Sequence, residues 1–368
     1  MSAAVPIAIN GRFLTQSTTG VQRYAIELVR ALDRELDGDD RWRFELVGPR
    51  GMRSSLPLAH IRQRSVGRLS GHAWEQLELP LHVRGRFLVS LCNAAPLLKR
   101  AQLVTVHDAA VFDRPDGFSF AFRTWYRAML RGLGRTARQL VTVSRFSRDR
   151  LSLHCNLPAD RLALVHEGAD HVHAVPPDRR ILERERLRDK PYLLLVGTLD
   201  PRKNVSVVMR ALPHLAAHSF DTVVVGGTNP SVFGVGAALP PGRVRYLGKV
   251  SDAELRALYE EAACFVFPSL YEGFGLPPVE ALACGCPTVV ARTAALLETC
   301  GDAVLCFDPH DPRDAAAVIG RVLADASLRE EMRARGRARV EQLTWRRCAR
   351  ELLALLAGLV SSPGARAS

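Results

Sequence analysis

Short, almost uninterrupted apolar runs recur along this chain, each closed by a turn and followed by a stretch of helical periodicity. Val5 to Ile9, Phe44–Val47, Phe87–Leu91, Leu103–Val106, Leu140–Val143 and Leu162–Val165 read as strands, with helices at 21–36 and near 72–83, 118–134 and 145–154. The series restarts at Tyr192-Leu-Leu-Leu-Val196 with a helix from Ser206 to Leu215. Strands at Thr222–Val225, Cys264–Phe267, Thr288–Val290 and Val304–Phe307 follow. Strands without polar alternation are buried on both faces, so this order requires parallel sheets covered by helices on both sides. A chain of 368 residues, 47% apolar, can fill two such α/β domains of about 150 residues each. The charged, Pro-containing segment 175–190 reads as the linker between a Rossmann-like domain at 1–178 and a second at 190–344. A helix at 345–360 and a small, polar tail at 361–368 complete the chain. Ligands of open α/β sheets bind beyond the carboxyl ends of the strands, so a cleft between the domains is the expected site.

The densest chemistry lies in Phe267-Pro-Ser-Leu-Tyr-Glu272-Gly-Phe-Gly275-Leu-Pro-Pro-Val-Glu280. Here a buried strand gives way to a glycine turn, and two prolines suit the first turn of the next helix. Backbone amides near Gly275 and Leu276 would face out of a helix N-terminus, where a phosphate is favoured. Glu272 at the strand end and Glu280 on the helix are carboxylates that suit vicinal hydroxyls, accepting a charge-assisted hydrogen bond from each. Phosphate and diol sites side by side point to a nucleotide-sugar. An ordinary strand–turn–helix corner is the bland alternative.

The run Glu-Gly-Phe-Gly-Leu-Pro-Pro-Val-Glu-Ala-Leu-Ala-Cys-Gly-Cys-Pro-Thr-Val resembles, nearly residue by residue, the Glu-x7-Glu signature of retaining glycosyltransferases of family 4. The resemblance implies the GT-B fold, two Rossmann-like domains facing each other across a cleft, the first taking the acceptor and the second the nucleotide-sugar donor. In that family the last helix often returns to the first domain. Gly197-Thr-Leu-Asp-Pro-Arg202-Lys203-Asn204 resembles the donor-phosphate loop, Arg202 gripping the diphosphate bidentately and Lys203 as a point charge. Many relatives have Gly-Arg where Gly197-Thr198 stands, so one phosphate-binding arginine is either absent here or replaced by Arg202. An exposed basic turn capped by Asn204 is the competing reading.

By the same resemblance Glu272 contacts the donor hexose and Glu280 the ribose. Tyr246-Leu-Gly-Lys249-Val250-Ser251 would pair with the base through its backbone, although Ser251 with Glu254 also reads as a capping box. Gly226-Gly227-Thr228 would allow close backbone approach to a ligand. His107, closing a strand, is expected near the donor sugar, donating to a hydroxyl or bracing the reacting centre, with Asp108 orienting the ring or meeting the acceptor. A structural His–Asp pair is the alternative. Gly20 and Arg23 lie in what resembles the acceptor-side glycine loop, which shows one glycine where many relatives have two. Ser144 matches a family segment near the interdomain crevice and equally reads as an N-cap.

The net charge of +12 comes largely from arginine, which makes up 46 of the 50 basic residues. No nucleic-acid module or basic–aromatic motif accompanies it, so nucleic acid is excluded as a partner. Arg123, Arg127, Arg131, Arg135 and Arg138 recur at helical spacing beside Phe122, Trp125, Tyr126, Met129 and Leu133. That stripe is either a solvated face or a peripheral attachment to an anionic membrane surface. Eight cysteines without a C-x-x-C pair read as reduced thiols, and Cys284-Gly-Cys286 lacks a second ligand pair. No run reaches the roughly 20 apolar residues of a membrane span, and Met1 to Asn10 lacks a signal-peptide pattern. A cytoplasmic protein is expected, soluble or peripheral on the inner face of the cell membrane.

The expected reaction is transfer of a hexose, with GDP-mannose the preferred donor, to a hydroxyl of a glycan or lipid-linked glycan in polysaccharide or lipopolysaccharide assembly. The resemblance implies retention without a metal ion or other cofactor, and no Asp-x-Asp triplet closes a strand. A paired-carboxylate glycosidase would leave the phosphate features without use. A nucleotide-sugar epimerase of the same fold and a non-catalytic nucleotide-sugar-binding subunit remain as alternatives.

Overall fold

A computed structural model describes residues 4–52, 55–197, 200–226 and 244–361. In chain order the strands are β1 (Val5–Asn10), β2 (Trp42–Pro49), β3 (Arg62–Val66), β4 (Phe87–Ser90), β5 (Gln102–Thr105), β6 (Gln139–Thr142), β7 (Leu162–Leu164), β8 (Tyr192–Gly197), β9 (Asp221–Gly226), β10 (Val244–Gly248), β11 (Cys264–Phe267), β12 (Thr288–Ala291) and β13 (Leu305–Phe307). The described helices of seven or more residues are α1 (Gly20–Glu35), α2 (Phe120–Thr136), α3 (Arg145–Cys155), α4 (Val205–Ala211), α5 (Asp252–Glu261), α6 (Leu276–Ala283), α7 (Ala294–Cys300), α8 (Pro312–Ala324), α9 (Ala326–Val340) and α10 (Trp345–Ser361).

The chain divides into two compact units, Met1–Gly168 with Trp345–Ser368, and Ala169–Thr344. The first holds a seven-stranded sheet in the order β3-β2-β1-β4-β5-β6-β7, the second a six-stranded sheet in the order β10-β9-β8-β11-β12-β13. Every strand pair is parallel. In each sheet the winding reverses once, between β1 and β4 in the first unit and between β8 and β11 in the second. Connections diverge at such a point and leave a crevice at the carboxyl ends of the two strands.

Burial follows the pleat. Along β8, Tyr192 and Leu194 enter one core layer while Leu193 and Leu195 enter the layer on the opposite face. In β11, Phe265 and Phe267 join the first layer, Cys264 and Val266 the second. Each such large apolar side chain contributes about 1.5–3 kcal/mol on burial, so both faces hold the sheet.

Two edge strands lack the apolar pattern that marks the others. In β3, Arg-Gln-Arg-Ser-Val buries only its last residue, and all of β10 is partly exposed. The expected helix from Ser206 to Leu215 is α-helical only to Ala211, because Pro213 lacks an amide, and the rest is a 3-10 turn. The 175–190 segment is folded rather than a free linker. Arg180–Arg184 is a short helix, and Ile181, Leu182 and Leu187 sit in the core of the second unit. Contacts divide the chain at 168/169 instead of at 178–190.

The last helix belongs to the first unit. Trp345 meets Tyr24 of α1 edge-on at 5.8 Å, and Glu35 accepts hydrogen bonds from Arg346 at 2.8 Å and Arg350 at 2.6 Å. Those bonds and charges outweigh the opposing effect of burial and hold the Glu35 carboxyl below its ordinary range. All eight cysteines are free thiols.

Gly226 closes β9 at φ +123°, and a Cβ there would stand 2.2 Å from the Gly197 carbonyl oxygen of β8. A Cβ at Gly20 would meet nothing within 4 Å. Gly226→Ala should therefore destabilise the protein by about 2 kcal/mol or more, whereas Gly20→Ala should be neutral or stabilising by up to about 1 kcal/mol. Urea unfolding of the two variants checks the contrast; equal stabilities would contradict it.

Candidate functional site

In the second unit the winding reversal brings two loops together. The first follows β8, where Asp200 caps a 3-10 turn, Pro201–Lys203, by accepting from the Arg202 amide at 2.9 Å. Asn204 closes the turn as its C-cap in the left-handed region at φ 51°, its amide donating to the Pro201 carbonyl and its side chain to the Pro309 carbonyl at 2.8 Å, so Asp200 and Asn204 cap opposite ends. The second loop follows β11 and carries Glu272. Lys203 Nζ meets Glu272 Oε1 at 2.5 Å and lies 5.3 Å from the centre of the Phe267 ring. Both side chains are largely buried. The cation expected on phosphate and the carboxylate expected on the hexose thus neutralise each other.

Arg202 turns back on Asp200, with Nε at 3.0 Å from each carboxylate oxygen and Nη2 at 2.6 Å. Burial raises the Asp200 carboxyl, but the Arg202 hydrogen bonds and charge more than offset it and leave the group below its ordinary range. A bidentate fork therefore exists, turned onto Asp200. Thr198, Gly227 and Thr228 lie outside the described residues. Gly226 is required by close packing against the Gly197 backbone.

Gly275 is the N-cap of α6, at φ 91° and ψ 61°. That left-handed backbone strains any residue but glycine, and a Cβ would in addition crowd Leu296 Cδ2 at 2.5 Å. Pro277 and Pro278 remove two of the amides a helix N-terminus ordinarily presents, which concentrates the donors at Gly275 and Leu276. On the same helix, Glu280 is buried. Its Oε1 faces His171 Nε2 at 2.9 Å, and its Oε2 accepts from the Tyr259 hydroxyl at 3.2 Å. Burial, with the Glu280 charge beside it, raises the Tyr259 hydroxyl well above its ordinary value. Each carboxylate oxygen keeps a second lone pair, so a diol remains within its capacity. Lys249 is exposed and Val250 packs against the core, between β10 and the Ser251–Glu254 capping box.

In the first unit, His107 follows β5 and is almost fully buried. Its Nδ1 lies 3.2 Å from Glu167 Oε1 and its Nε2 3.0 Å from the Leu91 carbonyl oxygen. Its amide donates to Asn93 Oδ1 at 2.7 Å, and its carbonyl accepts from the Ser147 hydroxyl at 2.8 Å. Tyr24 packs edge-on at 4.6 Å. Neither ring nitrogen is left for a sugar hydroxyl, so His107 is an internal brace. Glu167 orients the ring in the role expected of Asp108, whose carboxylate instead accepts from the Ala110 amide at 2.7 Å.

Gly20 opens α1, and Arg23 pairs with Glu27 at 3.5 Å. Ser144 is the N-cap of α3, accepting from the Ser147 amide at 3.0 Å. On α2 the expected arginine stripe is broken. Arg127 donates to the Val111 carbonyl and Arg131 to the His154 carbonyl, both over the Phe112 ring, while Arg138 lies beyond the helix end. Phe120, Phe122 and Trp125 are exposed, and Met129 and Leu133 are buried.

Glu167, His171 and Tyr259 escaped the sequence reading because each meets its partner only through the fold. A cavity of about 540 Å³ lined by Val5, Asp39, Trp42 and Val360 lies at the amino ends of β1 and β2, the wrong end of the sheet for a ligand site. Among the described residues no group of three or more His, Cys, Asp or Glu is placed to hold a metal ion. No described helix is long and apolar enough to cross a membrane.

Burial disfavours the His107 imidazolium, but the Glu167 hydrogen bond and charge, aided by the Leu91 carbonyl, outweigh it and raise the group above its ordinary value. A raised folded-state value stabilises fully below the unfolded value and is lost as pH climbs through the folded one. The stability gap between wild type and His107→Gln, read by urea unfolding, should be widest near pH 6 and narrow above about pH 6.5. A gap independent of pH would contradict the charged brace.

The matches with known proteins cover both units. A model of glycosyl transferases group 1 matches residues 178–339, and one of Glycosyltransferase Family 4 matches residues 18–173. O-antigen chain mannosyltransferase B of Escherichia coli is 35% identical over 261 residues, 68% of this chain and 68% of that protein. O-antigen chain mannosyltransferase RfbU of Salmonella typhimurium (strain LT2) is 26% identical over 341 residues, 87% of this chain and 92% of that protein. The solved sucrose-phosphate synthase of Thermosynechococcus elongatus aligns with a TM-score of 0.74 at 20% identity, over 97% of this chain and 99% of that one, a likeness of fold. The epimerase and silent-subunit readings are not favoured by these relatives. The chain belongs to the family 4 glycosyltransferases, has the GT-B fold with its two Rossmann-like units, and is a hexosyltransferase.

Proposed function

We propose that the hexose is mannose, taken from GDP-mannose with retention of configuration and without a metal ion, and passed to a hydroxyl of a growing glycan or lipid-linked glycan. The two relatives, both O-antigen chain mannosyltransferases, support the sugar and the setting. The observation that carries the reading is the Lys203–Glu272 pair at the β8/β11 reversal, beside the glycine-capped start of α6. The donor diphosphate takes Lys203, Arg202 and the amides of Gly275 and Leu276. Glu272, exchanged out of its ion pair, accepts from the hexose hydroxyls. Glu280 accepts from the ribose with its remaining lone pairs, and the backbone at Lys249 and Val250 meets the base.

As the glycosidic bond breaks, negative charge develops on the leaving diphosphate. Preorganised donors there are worth about 2.7–4 kcal/mol each, against roughly 0.3–1 kcal/mol for the helix dipole alone. The discrete donors dominate. Lys203→Ala should lower turnover by about a hundredfold, and near-wild-type turnover would remove it from the mechanism. Thermal shift with GDP-, UDP-, dTDP- and ADP-sugars tests the donor: GDP-mannose should give the largest stabilisation, and transfer should survive EDTA.

The α2 edge supports peripheral attachment to an anionic membrane, where a lipid-linked acceptor would reside. Phe120 is 73% exposed, and the Arg123 guanidinium lies 5.6 Å from its ring centre, pairing an insertable aromatic with a cation. Vesicles containing anionic lipid should sediment the protein more than neutral vesicles do, and Phe120→Ser should reduce the difference. Equal sedimentation by both vesicle types would end this reading.

A further inference from the structure

The β1/β4 reversal of the first unit holds a polar cluster that the donor chemistry does not use. Glu75, only 1% exposed, stands in a π-helical turn, Trp74–Glu78, an element common at functional sites. Its Oε1 accepts from Asn10 Nδ2 at 2.7 Å, at the carboxyl end of β1, and from Arg12 Nε at 3.0 Å. Asn10 also donates to Ser90 at the end of β4, at 3.3 Å. These bonds lay the turn across the crevice where open α/β sheets take ligands.

The other oxygen of Glu75 faces His72 Nδ1 at 3.0 Å. A carboxylate can only accept, so Nδ1 carries the proton. Burial raises the Glu75 carboxyl, but the His72 bond and the Arg12 charge outweigh it and hold the group below its ordinary range, so it stays ionised. His72 is thereby fixed with Nε2 turned away from Glu75, a buried carboxylate orienting an imidazole whose other nitrogen can meet a ligand. Nε2 now meets the Tyr126 hydroxyl at 3.3 Å, a long contact that a better donor would displace. The His72 side chain is 33% exposed. Against its ring stand Tyr126 at 5.6 Å and Trp125 at 5.9 Å, and Trp125 is 39% exposed.

An oriented imidazole nitrogen beside an exposed indole is the pairing that a pyranoside asks for. Its apolar C–H face lies on the indole, while one hydroxyl donates to the imidazole. We propose that His72, oriented by Glu75, and Trp125 form the acceptor-sugar subsite. This rests on the transferase reading and deepens it: the acceptor end group is a neutral pyranoside, held by one hydroxyl and one ring face. Arg12 is committed to Glu75 and the Tyr126 hydroxyl, so an anionic acceptor group is not called for.

Saturation-transfer NMR with octyl α-D-mannopyranoside, octyl β-D-glucopyranoside and octanol tests this on the full chain. Sugar ring protons of at least one glycoside should receive saturation. Trp125→Leu, at an exposed position, and His72→Leu should each weaken glycoside binding by about tenfold, as for one lost contact of hydrogen-bond size, and His72→Gln should restore part of the loss. Saturation confined to the octyl chain, no binding by wild type, or unchanged affinity in Trp125→Leu and His72→Leu would overturn the subsite. GDP-mannose thermal shifts on the same samples report the donor reading separately, since these variants leave the second unit intact.

Discussion

One ion pair, Lys203 on Glu272 at 2.5 Å, concentrates the constraints on the second unit. It joins loops that leave neighbouring strands in opposite directions, so it forms only if β8 and β11 pair in register and the winding reverses between them. Partial burial makes either charge costly alone. Removing one leaves the other poorly solvated, which is why such pairs are more informative about organisation than about net stability. A ligand with both a diphosphate and hydroxyls offers each partner a replacement. On the proposed donor site, the pair is a stored pair of binding groups, neutral at rest and divisible by one molecule of the right chemistry.

Glycines and prolines set the frame around that pair. Gly226 allows β9 to approach the Gly197 carbonyl, and Gly275 accepts a left-handed backbone that would strain any other residue. Pro277 and Pro278 begin α6 while withholding their amides, leaving a narrow donor site. In the first unit a comparable economy appears in His107, whose two nitrogens both face acceptors and so favour the charged ring. The brace ties the ends of β4 and β5, the start of α3 and the loop holding Glu167.

Much of this was legible in the sequence, for definite reasons. Apolar runs such as Cys264–Phe267 have no polar alternation and so declare central parallel strands; Arg62–Val66 and Val244–Gly248 lie at edges, where half-polar sequences suffice, and gave no signal. The Glu272–Glu280 stretch announced a strand, a glycine turn and a helix within one local window. The partners of its side chains were not local. His171 reaches Glu280 across 109 residues and Glu167 reaches His107 across 60, distances over which spacing carries no information. Asp108 looked like the orienting carboxylate because it is adjacent in sequence, but it is spent on the turn it begins. Residues 175–190 looked like a linker because charges dominate, while Ile181, Leu182 and Leu187 suffice to bury one side.

The central claim is that an activated sugar's diphosphate sits at the β8/β11 reversal. Hydrogen–deuterium exchange with and without saturating GDP-mannose reads this directly. The account predicts slowed exchange at the amides of residues 202–205 and of Gly275 and Leu276. Binding of the donor with no protection in either segment would contradict it.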